Sequence, residues 1–400
     1  MTAELGLLNK TSIVLAADSA ATILNHNKVF NTADKLFSLS KTEPIGIMIY
    51  NNSNWMGVPF EIIIKSYVKY LENKSLKSLE DYQIDFMNFL KLFQKQHVNT
   101  SKIKENLENK FFQILDELKE FIDKKNIVVK DKSFEELLID ELIAFNEKFE
   151  TGDIFLESLE NITFELFEKK YIEDLTKIIK GFCNQNNVEY NDSNFKVIFY
   201  SIFLRFKIKF KADDDYTGVV IAGYGTDEIY PTICNLRVGD IIADEIKFEI
   251  KRIRKIDDEI TSIIYPFAQR EVIDTLIQGY SNDVKQIFTK NITSEFSKIK
   301  KQLLEKYTTI NENELDEIFK NSISNINKNV IKHSKNYYIS PLIKSVGFLR
   351  KEDLIELSEA FINITSMNKK TNNSLQSVGG PIDIAYITKH EGFVWVKKKN

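Results

Sequence analysis

Ser12-Ile13-Val14-Leu15-Ala16-Ala17-Asp18 is the stretch that decides how the chain is read. A short apolar run that stops at a carboxylate and is bounded by turn residues predicts a buried strand. Upstream, residues 3–9 form a second short apolar segment, and Asn9-Lys10-Thr11 between the two predicts a tight turn. Downstream, Val29-Phe30 and residues 35–39 give further short strand signals. Pro44 then opens residues 45–50, an apolar run that stops at Asn51-Asn52-Ser53-Asn54. The first fifty residues therefore predict a sheet of short strands.

Beyond them the chain alternates between tracts poor and rich in Gly and Pro. No Pro lies between Pro59 and Pro231 or between Pro266 and Pro341, and only Gly152 and Gly181 fall between Gly57 and Gly218. The first breaker-poor tract, about 58–210, has helical periodicity: Phe60, Ile63, Ile64, Tyr67, Val68 and Leu71 recur at helical spacing. Ser133-x-x-Glu136 predicts a capping box, while residues 198–206 are ambiguous between helix and strand. Strand signals return at 219–225, 229–236 and 241–250, with Arg237-Val238-Gly239-Asp240 as the expected turn. A helix is expected over 267–280, just after Pro266. Residues 281–338 are again helical, with Asn311-x-x-Glu314 as a candidate cap. Residues 352–367 predict an amphipathic helix with Leu354, Leu357, Phe361 and Ile364 on one face. Two last strands follow Gly379-Gly380 and Glu391-Gly392.

Composition narrows the class. Hydrophobic residues make up 43% of the 400 and include 29 Phe and 16 Tyr, too apolar and aromatic for a disordered chain. A formal net charge of -4 argues against a chain built mainly to bind nucleic acid. Cys183, Cys234, His26, His97, His333 and His390 are scattered, with no zinc spacing and no disulfide framework. Neither a cofactor nor a metal is therefore expected, Asp213-Asp214-Asp215 reading as a solvated loop and Gly223-Tyr224-Gly225 as a turn. No signal-peptide pattern and no run of about 18 apolar residues is present, so a cytoplasmic protein without a membrane span is expected.

Chemistry concentrates at the start of the chain. Removal of Met1 before the small Thr2 would expose a residue that carries both a hydroxyl nucleophile and an α-amino group. That amine has an ordinary pKa of about 8, so it can serve as general base near neutrality. Asp18 closes the strand at Leu15-Ala16-Ala17-Asp18, and Lys35 follows in Asp34-Lys35-Leu36-Phe37. Thr2, Asp18 and Lys35 in this order resemble the site of proteasome β-subunits and their bacterial relatives in the N-terminal nucleophile (Ntn) hydrolase superfamily. Residues 45–50 resemble that family's next strand, 219–240 its later hairpin, and 377–388 with Glu391-Gly392-Phe393 its closing strand pair.

The resemblance implies an α+β fold, a four-layer αββα sandwich with large helical insertions. Its core would be divided into residues 1–57, 215–280 and 347–400 by a helical region with an insertion at 58–214 and a helical insertion at 281–346. It implies an N-terminal threonine peptidase or amidohydrolase acting on a peptide or protein, and a homo-oligomer or ring, with no nucleic-acid or membrane partner. In the implied mechanism Thr2 attacks an amide, Lys35 favours the neutral amine, Asp18 holds Lys35, and the Asn51 N–H stabilises the oxyanion. The sequence departs from the family in four places. Asn51 stands where a Gly is usual, and Lys35 is displaced by one residue. Ile263, with Ser262 beside it, stands near a usual Ser before the helix at Pro266. No Asp precedes Gly379, which leaves Ser377 as the candidate support for the amine. A catalytically inactive scaffold of the same fold, binding a partner through its helical insertions, is the alternative.

Overall fold

The computed structural model describes residues 3–23, 28–30, 33–127, 131–149, 155–211, 214–307, 311–371 and 379–399. The chain opens with strands β1 (Glu4–Asn9), β2 (Ile13–Asp18), β3 (Ala21–Ile23), β4 (Lys28–Phe30), β5 (Leu36–Ser38), β6 (Ile45–Asn51), β7 (Asn54–Trp55) and β8 (Val58–Pro59). Six helices follow: α1 (Phe60–Leu71), α2 (Leu79–His97), α3 (Thr100–Asn126), α4 (Phe134–Phe149), α5 (Phe164–Asn186) and α6 (Asp192–Lys207). Then come β9 (Thr217–Gly223), β10 (Thr232–Ile242), β11 (Glu245–Lys255) and β12 (Ser262–Ala268). The last part holds α7 (Arg270–Gln278), α8 (Asn282–Lys306), α9 (Glu312–Ser334), a π-helical turn at Lys335–Ile339, α10 (Ser340–Phe348), α11 (Lys351–Thr371), β13 (Ile382–Thr388) and β14 (Gly392–Lys397).

The result is a mixed α+β structure whose two large sheets are antiparallel throughout. One runs β12-β1-β2-β13-β14 and the other β11-β10-β9-β6-β5. The opening hairpin folds as its sequence predicts: Asn9 Oδ1 accepts from the N–H groups of Thr11 and Ser12 and so holds the turn. Strand alternation then sorts side chains between two apolar clusters. Leu8, Ile13, Leu15 and Ala17 meet Met48, Val220, Ala222 and Ile233 of the other sheet. Ala3, Leu5, Leu7, Val14 and Ala16 pack instead with Ile273 of α7, Val346 of α10, and Leu354 and Phe361 of α11.

The outer residues of the second sheet, among them Ile47, Ile49, Val219, Ile221 and Leu236, pack on α1 and α2. Helix α2 begins at Ser78 with a full capping box closed by Asp81. Ser133 and Glu136 make the predicted reciprocal bonds at the start of α4. Helices α3 to α6 hold an apolar cluster of their own, built around Phe111, Phe167 and Phe199 and touching the sheet at Ile242. Helices α8 and α9 differ: no residue of α8 is buried, and Ser334 alone is buried in α9.

Three readings of the sequence are corrected and one that was open is decided. Residues 237–240 are not a turn, because β10 continues through them, with a register shift against β11 between Val238 and Ile241. Gly239 is there because a Cβ would come within 2.7 Å of the Phe210 ring, while the turn falls at Ala243-Asp244, both at positive φ. Pro266 lies inside β12 rather than ahead of a helix, and α7 starts only at Arg270. As an outermost strand of its sheet, β12 tolerates the missing N–H. Residues 198–206 are helical, within α6. In α11 the buried side follows Leu354, Ser358, Phe361, Ile362 and Thr365, leaving Ile364 exposed.

Candidate active site

At the end of the first sheet where β1 begins and β2 ends, Asp18 is held on all sides. Its N–H donates to the Ala3 carbonyl and its Oδ1 accepts from the Ala3 N–H, each at 3.0 Å. Oδ2 accepts from the Gly379 N–H at 2.9 Å. Lys35, just ahead of β5, brings its Nζ to 2.8 Å from Asp18 Oδ1 and donates to the Ala20 carbonyl at 2.6 Å. Both ends of this ion pair are buried, Asp18 at 1% and Lys35 at 5% exposure. Burial pushes the Lys35 ammonium below its ordinary range, and Asp18 and Glu4 oppose that shift. The pair is thus tied to the residue that follows Thr2 in the chain. Thr2 and Ser377 themselves lie outside the described residues, as do His26 and Asp213.

Asn51 ends β6 in the left-handed region, φ 66°. Glycine takes this conformation freely and asparagine tolerates it better than most residues. Its Nδ2 donates to the Tyr216 carbonyl at 2.9 Å. The Ile49 N–H donates to the Lys35 carbonyl at 2.9 Å, which places Asn51 two residues beyond that link. The structure therefore joins Asp18 to Lys35 directly and Asn51 to them along one strand. Ser262 is elsewhere. It pairs with Asn9 at the opposite end of β1, where its hydroxyl donates to the Ile343 carbonyl, and Ala268 is the residue opposite Glu4.

Glu4 is the residue the sequence reading passed over. It is fully buried, on the same face of β1 as Leu8, and among the described residues neither carboxyl oxygen has a hydrogen-bond partner. Burial holds its carboxyl well above the usual carboxylate range; Lys35 works against this and Asp18 adds to it. A lone carboxylate inside an otherwise apolar strand was the available signal. Lys399 was missed too. Its Nζ reaches Asp34 Oδ1 at 3.0 Å and Asp383 Oδ2 at 3.6 Å, and its charge adds to the downward push on Lys35.

The chemistry available here is that of a buried ammonium with one fixed carboxylate partner and a second carboxyl nearby that burial pushes toward its neutral form. Among the described residues, no group of three or more His, Cys, Asp or Glu side chains is arranged to hold a metal ion, and no helix is long and apolar enough to cross a membrane. Asp214, Asp215 and Asp240 line one cavity together with Lys110, Lys209, Lys211 and Lys247. No protein-family model matches the chain, and no curated protein matches it.

Proposed function

We propose that the chain is an N-terminal threonine hydrolase of the Ntn type, cleaving peptide or amide bonds with Thr2 as nucleophile once Met1 has been removed. The observation that carries this reading is the buried Lys35–Asp18 pair bonded to the backbone of Ala3, next in sequence to Thr2. A cation held there favours the neutral amine and the alkoxide at a neighbouring residue. Two antiparallel sheets sharing an apolar cluster, with helix-bound clusters on their other residues, support the four-layer αββα sandwich. Two groups of helices lie apart from those clusters, α3–α6 and α8–α9, and support the reading of helical insertions into one core.

In this mechanism Thr2 Oγ attacks the amide carbonyl and its proton passes to the α-amine. The Asn51 N–H donates to the oxyanion, the leaving amine takes the proton as the C–N bond breaks, and water hydrolyses the resulting ester.

The test is labelling with an epoxyketone directed at N-terminal threonine, alongside the intact mass of the purified chain. The hydrolase reading expects a mass lacking Met1 and labelling that disappears in Thr2→Ala. Retained Met1, or equal labelling of both proteins, would sink it.

A further inference from the structure

The chain is lysine-rich and has six arginines, yet three of them line one cavity away from the Lys35 site. This cavity, about 1170 Å³, is bordered by β11, β12, the π-helical turn and α10. Its cationic lining is Lys10, Arg252, Arg254, Arg270, Lys335 and Lys344. Only Glu259 and Asp274 line it with negative charge, in a chain whose formal net charge is -4.

Part of that positive charge is already answered. Lys10 pairs with Asp258 at 2.7 Å and Arg270 with Asp274 at 3.4 Å. Arg252 and Arg254, two apart on β11 and so on the same side of the strand, have no carboxylate partner among the described residues. Arg254 lies over the Tyr265 ring at 5.8 Å. Burial, and then the like charge of Arg252, pushes its guanidinium below the ordinary range, with Arg270 adding to the push. Guanidinium groups gathered against their own repulsion form a receptor for planar oxyanions, which they bind through paired N–H donors.

The cavity also has a backbone edge. β12 is the outermost strand of its sheet, and Ser262 to Pro266 of it line the cavity. Pro266 has no donor, so an added strand would pair along residues 262–265. Ile260 and Phe348 at the rim are 43% and 89% exposed, offering apolar anchors. We propose that this cavity binds an extended acidic polypeptide segment, which adds alongside β12 and places its carboxylates on Arg252, Arg254 and Arg270. A nucleic acid or polyphosphate would meet the charge but leave the strand edge and the apolar rim unused.

The experiment is fluorescence anisotropy with the full chain and a labelled short peptide of alternating Glu and Val. Competitors are the Lys–Val counterpart, oligo-dT and inorganic polyphosphate. The Glu–Val peptide is expected to bind, with affinity falling about tenfold or more in Arg252→Gln/Arg254→Gln. A similar loss is expected when alternate peptide nitrogens are methylated, a readout that needs no change to the protein. The proposal is overturned by equal binding of the acidic and basic peptides. It is also overturned by indifference to N-methylation, by tighter binding of oligo-dT or polyphosphate, or by a self-association that the double variant abolishes.

Discussion

At the scale of single residues, the site is a problem of buried charge. An ion pair taken out of water contributes little net stability, but removing one partner costs about 3–5 kcal/mol because the other charge is stranded. In the intact pair, three further bonds offset the desolvation of Asp18 and Lys35: from Ala3 N–H, from Gly379 N–H and to the Ala20 carbonyl. Glu4 has no such help. Burial pushes its carboxyl above the value of about 4.3 that it has in the unfolded chain. The native state therefore binds more protons, and stability falls as pH rises from there toward the folded value. Glu4→Gln is expected to be more stable than wild type at pH 7 by about 1–3 kcal/mol, with the difference closing below pH ~4. Urea unfolding at the two pH values measures this; a variant less stable at pH 7 would mean that Glu4 is ionised and paired. Asp18 and Asn51 were legible as candidates because each stops a short apolar run, Thr2 because it follows Met1, and Lys35 because it opens the run Leu36-Phe37 in the order the resemblance implies. Glu4 was not, because the apolar residues around it gave the strand away and its own charge was ignored.

At the scale of elements, β10 and β11 show where local sequence misleads. Arg237-Val238-Gly239-Asp240 has turn composition, but Gly239 answers a tertiary demand, the approach of Phe210, which no local window contains. Pro266 misled for the same reason: an edge strand and a helix start both accept a proline, and only the partner strand distinguishes them. The strand after Gly239 carries Lys247, buried at 7% exposure over the Phe210 ring. Burial lowers its ammonium to about 8, with Asp240 opposing. An unfolded lysine titrates near ~10.4. Between those values the unfolded chain binds the extra proton, so wild-type stability climbs as pH rises through the window and falls as pH drops through 8. Lys247→Met is expected to gain about 2 kcal/mol at pH 7 and nothing above pH ~10.4. Denaturant midpoints at pH 7 and 10.5 check this, and a gain that persists at the higher pH would show packing rather than charge at work.

At the scale of the whole molecule, the helical hairpin α8–α9 is the separable part. It contributes no buried apolar residue, and its two roots are adjacent: Ser334 Oγ donates to the Gln278 carbonyl at 2.6 Å. Replacing residues 282–333 with a short Gly-Ser linker should leave cooperative thermal unfolding with a midpoint within a few degrees of wild type. Loss of the cooperative transition by calorimetry would refute the view that the hairpin is appended. The sequence showed this part as a breaker-poor tract but not how it attaches, since surface helices and core helices share the same periodicity until their surroundings are known.

The bond from Gly379 to Asp18 spans 361 residues of chain. β1 pairs with β12, and β2 with β13, so the first sheet needs strands from both ends of the sequence. A chain made from its N-terminus has β6 and β9 well before Gly379, which gives Asp18 its second backbone donor. Contacts of such separation are slow to close. The Asp18–Lys35 pair therefore reaches its final form only after Gly379 has been made. A chain made only as far as α11 would leave Asp18 Oδ2 without that donor, so a cut ahead of Gly379 would loosen a pair far away in sequence.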